Sequence, residues 1–115
     1  MGVAYHANYL IWMEVARTDF CRSLGFNYKE MEATDGILLA VTEAHCRYLN
    51  AARYDDEVSI VTALACANRR FVTFDYEMTC EERRVATGQT KHIFLNREFR
   101  PLRLPDRYAP MFGIE

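Results

Sequence analysis

The stretch Asn8-Tyr9-Leu10-Ile11-Trp12-Met13-Glu14-Val15-Ala16-Arg17-Thr18-Asp19-Phe20-Cys21-Arg22-Ser23-Leu24 repeats its apolar residues at helical intervals. Tyr9, Trp12, Met13, Ala16, Phe20 and Leu24 recur at three- and four-residue steps, while Glu14, Arg17, Thr18 and Arg22 form a narrower polar stripe. Residues spaced in this way share one face of a helix, so the stretch predicts a helix with most of its circumference buried. Asn8 has the side chain of an N-cap, and Gly25 follows where a left-handed residue ends a helix.

Beyond that helix, Asn27 to Glu32 predicts a short second one and Asp35-Gly36 a turn. The period then changes from about 3.6 to 2. From Ile37 to Leu49 an apolar run passes into alternation, with Thr42, Ala44, Cys46 and Tyr48 on one face and Glu43, His45 and Arg47 on the other. Val58 to Cys66, Val72 to Cys80 and Val85 to Leu95 give three more strands, joined by Asn68-Arg69-Arg70 and by a hairpin turn at Glu81-Glu82-Arg83-Arg84. One helix followed by an antiparallel meander is expected. Both flanks of the helix are covered only if the sheet curves around it, so the fold class is α+β, with a bent sheet wrapped around one long central helix.

The composition agrees with a single domain over 1–115: 50% of the 115 residues are hydrophobic, 13% aromatic and 26% charged. Fourteen Lys and Arg against sixteen Asp and Glu leave a formal charge of −2, which gives no general attraction for nucleic acid or anionic lipid. The longest apolar runs are strand-sized, so no membrane span is expected. Met1 to His6 lacks the pattern of a secretory signal, which makes a cytoplasmic location the expectation. Cys21, Cys46, Cys66 and Cys80 show no metal-ligand spacing and are expected as buried, reduced thiols. Exposed sheet edges and the many aromatics favour a homodimer or homotetramer.

Gly2-Val3-Ala4-Tyr5-His6-Ala7-Asn8-Tyr9-Leu10-Ile11-Trp12-Met13-Glu14-Val15-Ala16-Arg17 resembles the opening of the central helix in hot-dog-fold acyl-CoA thioesterases. It is most similar to the 4-hydroxybenzoyl-CoA and Tol-Pal-associated group, whose pattern G-V-V-Y-H-x-N-Y-x-x-W-x-E-x-A-R it follows almost position for position. Arg47-Tyr48-Leu49, Ala86-Thr87-Gly88-Gln89-Thr90-Lys91-His92 and Pro101-Leu102-Arg103-Leu104-Pro105 extend the resemblance over nearly the whole chain. The resemblance implies an acyl-CoA thioesterase that uses no metal or redox cofactor, with coenzyme A entering as part of the substrate. One departure stands out. In the family, a strand ending in a catalytic aspartate precedes the glycine matched by Gly2, whereas this sequence starts at Met1. A late start or a shortened member is expected on that ground, and a non-catalytic acyl-binding module is the alternative reading.

Thioester hydrolysis needs a donor for the developing oxyanion and a carboxylate that attacks or activates water. By resemblance, the backbone N–H at His6 polarises the carbonyl, Gly2 permits close approach, and Tyr5 and Asn8 contact the substrate. Glu14 is the carboxylate available on the helix, with pairing to Arg17 or Arg47 as its structural alternative. Arg69 and Arg70 are candidates for the phosphates of coenzyme A, as are Arg97, Arg100 and Arg103. His45 and His92 are expected to be packed or paired, and Tyr9, Trp12, Phe71 and Phe74 to line the core or an acyl pocket.

Overall fold

The computed structural model describes residues 7–25, 27–53 and 56–114. Helix α1 runs over Ala7–Ser23 and is followed by α2 over Tyr28–Asp35. The strands are β1 Leu38–Tyr48, β2 Ser59–Ala67, β3 Phe71–Cys80 and β4 Arg83–Leu95, and a single 3-10 turn spans Ala109–Phe112.

The start of α1 corrects one expectation. Asn8 lies inside the helix rather than capping it, because the helical backbone already includes Ala7. The C-terminal signal holds: the Leu24 N–H donates to the carbonyls of Phe20 and Cys21, and Gly25 takes φ +104°. Helix α2 carries on past Glu32 to Asp35. The Asn27 side chain caps its first turn by accepting from the Lys29 N–H at 2.8 Å, and left-handed Gly36 closes it. Arg97 reaches back to donate to the Ala33 carbonyl at 2.8 Å, placing a cation at the negative end of α2.

All four strands are antiparallel neighbours in the order β1-β4-β3-β2. The meander therefore holds for β2, β3 and β4 only, and β1 joins the far side of β4. Turn chemistry explains the difference. Asn68 Oδ1 accepts from the N–H groups of Arg70 and Phe71, and Glu81 takes φ +59° in a two-residue turn, so both later connections are tight hairpins. The connection from Leu49 to Val58 joins strands that lie at opposite edges of the sheet.

Helix α1 lies on one face of this sheet and meets both edge strands, β1 and β2, so the sheet curls around it as expected. Tyr9, Met13 and Cys21 are buried, facing Val72, Phe74, Tyr76 and Met78 of β3 and Ala86 and Phe94 of β4 within one core. Phe20 sets its ring edge-on to Phe74 at 6.1 Å. At Gly88 a Cβ would fall against the Met13 thioether and 3.2 Å from the His45 carbonyl oxygen, so a larger residue there forces Met13 to shift.

Ala44, Cys46 and Tyr48 pair with Thr90, Gly88 and Ala86 of β4, but the expected buried face is observed only at half-buried Cys46, since Ala44 and Tyr48 remain exposed on this edge strand; a bulge at Thr42 lies between Val41 and Glu43. A second irregularity, between Leu64 and Cys66, turns Cys66 out to solvent. The cysteines thus divide: Cys21 and Cys80 are buried, Cys46 is half-buried and Cys66 is exposed, and all four are free thiols.

A candidate site along the central helix

Asn8 stands half-buried in the first described turn of α1, toward the positive end of the helix dipole. Trp12, Val15 and Asp19 follow it at four, seven and eleven residues, which places all four side chains on one stripe of the helix. Trp12, Val15 and Asp19 form one wall of an apolar groove of about 420 Å³, completed on the helix by Ala16 and Phe20. Ile60 and Thr62 of β2 form the other wall. The Trp12 ring packs on Tyr9 at 4.8 Å, and Asp19 at the far end is paired with Arg22 at 3.3 Å.

Glu14 faces elsewhere. Six residues from Asn8, it is turned about 120° around the helix axis. It borders a separate cavity of about 200 Å³ with Arg17, Thr18, Tyr28 and Glu32. Glu14 is exposed, and among the described residues it forms no ion pair, so the expected pairing with Arg17 or Arg47 is not observed.

Arg17 instead enters a polar chain that sequence reasoning missed. Burial works against its charge, but interaction with the Tyr28 and Tyr76 hydroxyls outweighs this and raises its pKa. Tyr76 shares a hydrogen bond with Thr90 at 2.7 Å, and Thr90 Oγ1 lies 2.8 Å from His92 Nε2. His92 is fully buried. Burial first, and the Arg17 charge second, push its pKa down to about 3, so the imidazole is neutral at physiological pH. Burial likewise raises the pKa of Tyr28 and of Cys21, whose thiol donates to the Tyr28 hydroxyl at 3.3 Å. The two-residue spacing of Thr90 and His92 on the inward face of β4 was the available signal, but the arginine that meets them is some seventy positions away.

His45 corrects an expectation too. It is exposed on the outer face of the sheet, within an open depression of about 810 Å³ that also contains Arg47, Asp75 and Glu77. Phe71 likewise lies outside the core, beneath Lys91 at 4.4 Å.

Gly2, Tyr5 and His6 lie outside the described residues. The arginine candidates separate: Arg69 Nη1 donates to the Leu104 carbonyl at 3.0 Å and to Asp106 at 2.6 Å, tying the C-terminal tail to the β2–β3 turn. Its neighbour Arg70 is exposed. Arg100 and Arg103 are also exposed, while Arg97 is committed to capping α2. Among the described residues, no group of three His, Cys, Asp or Glu is placed to hold a metal ion, and no helix is long and apolar enough to cross a membrane.

Comparison with known proteins places these features among others. The family model described as the thioesterase-like superfamily matches residues 1–111. A putative acyl-CoA thioesterase of Bacillus subtilis is 33% identical over 104 residues, covering 89% of this chain and 75% of the relative. The solved structure of a DHNA-CoA thioesterase from Staphylococcus aureus superposes with a TM-score of 0.88 at 38% identity, covering 96% of this chain and 74% of that one. A hypothetical protein from Thermus thermophilus reaches a TM-score of 0.93 at 30% identity, covering 98% and 86%.

Proposed function

Because the chain belongs to the thioesterase-like superfamily, we propose that it hydrolyses an acyl-CoA thioester to the free acid and coenzyme A. The observation that carries this reading is that the family match runs through residues 1–111, including helix α1, which lines an apolar groove with Trp12, Val15 and Phe20. In the proposed site the thioester carbonyl lies against the first turn of that helix. Backbone N–H groups, the His6 N–H among them by resemblance, stabilise the negative oxygen of the tetrahedral intermediate. Gly2 leaves room for this approach, and Tyr5 and Asn8 hold the substrate.

Glu14 is poorly placed for the hydrolytic step. It stands about 9 Å further along the axis as well as turned away from Asn8. Asp19 shares the stripe but lies about 16 Å from Asn8. Neither reaches a carbonyl at the first turn, so the carboxylate or activated water comes to the site from outside α1. The chemistry calls for no metal or redox cofactor. Arg70, Arg100 and Arg103 are the exposed guanidinium groups proposed for the phosphates of coenzyme A, with Arg69 holding the tail beside them.

The protein is further proposed to work as a homodimer or homotetramer. Support comes from the two sheet edges, β1 and β2, and from Leu10, Ile11, Val15 and Val61, which are each between 46% and 66% exposed. Four free thiols suit a reducing, cytoplasmic compartment.

The test is thiol release from a panel of acyl-CoAs. Turnover well above background is expected, reduced in Asn8→Ala and retained in Glu14→Gln. A folded chain that binds an uncleavable analogue but releases no thiol from any member overturns the catalytic reading. Lost turnover at unchanged stability in Glu14→Gln returns that residue to the reaction.

A further inference from the structure

We infer that the cavity between α2 and the loop leaving β4 binds the adenine base of a nucleotide, stacked on Phe99. The cavity measures about 450 Å³ and is lined by Lys29, Glu32 and Ala33 of α2, Leu38 of β1, and Arg97 and Phe99 of the loop. It shares no lining residue with the groove along α1. Two sources carry this ligand: the nucleotide half of coenzyme A, which rests on the thioesterase reading, and a free adenine nucleotide, which does not.

Phe99 is the residue that leads to the site. At φ +60° it holds a left-handed backbone, where a bulky side chain is crowded and glycine fits freely. Its ring is nevertheless 73% exposed, more than any other large hydrophobic side chain among the described residues, so burial does not offset that strain. The loop around it is fixed. Asn96 Oδ1 accepts from the Glu98 and Arg100 N–H groups at 2.9 and 3.0 Å, and the Asn96 N–H donates to the Arg100 carbonyl at 2.9 Å. The Phe99 N–H donates to the Asn96 carbonyl at 2.9 Å, and Arg97 ties the same loop to the end of α2. An aromatic face is thus held toward water at the cavity wall, which lowers the ordering cost of binding a flat ligand.

The other walls select the base. Ala33 and Leu38 add apolar surface for a planar ring, and any base stacks on an aromatic face. Glu32 is an acceptor only. It takes a hydrogen bond from the exocyclic amine of adenine and repels the carbonyl oxygen that guanine and hypoxanthine carry at that position. Lys29 on the wall and Arg100, next to Phe99 in the chain, are exposed and supply donors for the phosphates.

The experiment titrates the full chain by calorimetry with adenosine 3′,5′-bisphosphate, ATP, ITP, coenzyme A and 4′-phosphopantetheine, so its outcome is independent of turnover. Saturable binding of the adenine compounds is expected, with ITP weaker than ATP. Phe99→Gly should weaken adenine binding about tenfold, the effect of losing one stacked base, and leave phosphopantetheine unaffected. Its Tm should hold or rise, because glycine relieves the left-handed backbone. Phe99→Tyr should retain the affinity, and Glu32→Ala should erase the preference for ATP over ITP. Phe99→Asn, also tolerant of this backbone, keeps the test available should Phe99→Gly not fold. Displacement of the bisphosphate by coenzyme A, with KM for acyl-CoA raised about tenfold at constant kcat in Phe99→Gly, assigns the site to the substrate. ATP that binds alongside saturating coenzyme A assigns it to a free nucleotide.

No binding of any adenine compound, or an affinity unchanged in folded Phe99→Gly, overturns the inference while leaving the thioesterase reading standing. Adenine binding that depends on Phe99 in a chain that releases no thiol does the reverse. A lower mass by light scattering in Phe99→Gly, with nucleotide affinity unchanged, assigns the ring to a second copy, which also overturns it.

Discussion

Replacing Gly88 with alanine tests whether one close approach sets the height of α1 above the sheet. The new methyl would fall against the Met13 thioether and 3.2 Å from the His45 carbonyl oxygen, and Met13 is only 1% exposed, so the thioether must repack within the core. Overpacking of this kind costs about 1–3 kcal/mol. Alanine recovers about 0.5–1 kcal/mol because it gives up less backbone freedom than glycine on folding. The net expectation for Gly88→Ala is a loss of up to roughly 2.5 kcal/mol. Met13→Ala alone removes a buried side chain and should cost about 2–5 kcal/mol. In the double variant the alanine methyl enters space vacated by the thioether, so the total falls short of the sum by about 1–2 kcal/mol. Urea unfolding of the four proteins at one fixed concentration measures this coupling, and each kcal/mol corresponds to about 4 °C in Tm for a chain of this size. Additive losses, or a Gly88→Ala protein more stable than the parent, would show that Met13 swings aside freely and that Gly88 does not set the helix height.

Stability should fall on acidification because His92 is neutral in the fold with a pKa near 3 but takes up a proton near 6.5 once unfolded. Between those values the unfolded state binds the extra proton, so stability rises with pH, by up to about 1.4 kcal/mol per unit. Urea midpoints from pH 4.5 to 6.5 should show this slope in the parent, with His92→Gln flatter by that amount; equal slopes would mean that His92 is not the group responsible. Tyr76→Phe removes the hydroxyl shared with Thr90 at 2.7 Å and should cost about 1–2 kcal/mol in unfolding free energy, whereas an unchanged urea midpoint would mean the buried chain adds nothing to stability. Arg69→Ala should lower Tm by freeing the tail at Leu104 and Asp106, while Arg70→Ala should raise KM for acyl-CoA without changing Tm. The opposite assignment of the two effects would reverse the roles given to this pair.

The periodicity of residues 8–24 and of the later strands disclosed the elements and the face each one buries, because burial on one side imposes a repeat that the side chains carry. Adjacency of β1 and β4 left no comparable mark, since it depends on pairing between residues such as Leu38 and Leu95. Tight turns were legible at Asn68 and Glu81, whereas β1 was read as the first strand of the same meander although it pairs with β4. Asn8 was read as a cap because its side chain suits one, but the backbone of Ala7 had already entered the helix. The exposure of Cys66 follows from a bulge that shifts the alternation by one residue, which a strict two-residue repeat does not anticipate. At the site, the helical stripe from Asn8 to Asp19 was implicit in the numbering. Its opposing wall on β2 came only with the fold, as did the turning of Glu14 toward another cavity.

The pairing of β1 with β4 also governs how the chain is made. The helix leaves the ribosome early, yet the strand that completes the sheet beneath it ends at Leu95, about seventy residues later. At roughly 5–20 residues per second, that interval lasts on the order of several seconds. Throughout it Tyr9, Met13 and Phe20 lack their covering sheet, and β1 waits beside them with no strand to join. The two hairpins of β2, β3 and β4 close locally and quickly, so the nascent chain is most open to aggregation and to chaperone capture around α1 and β1.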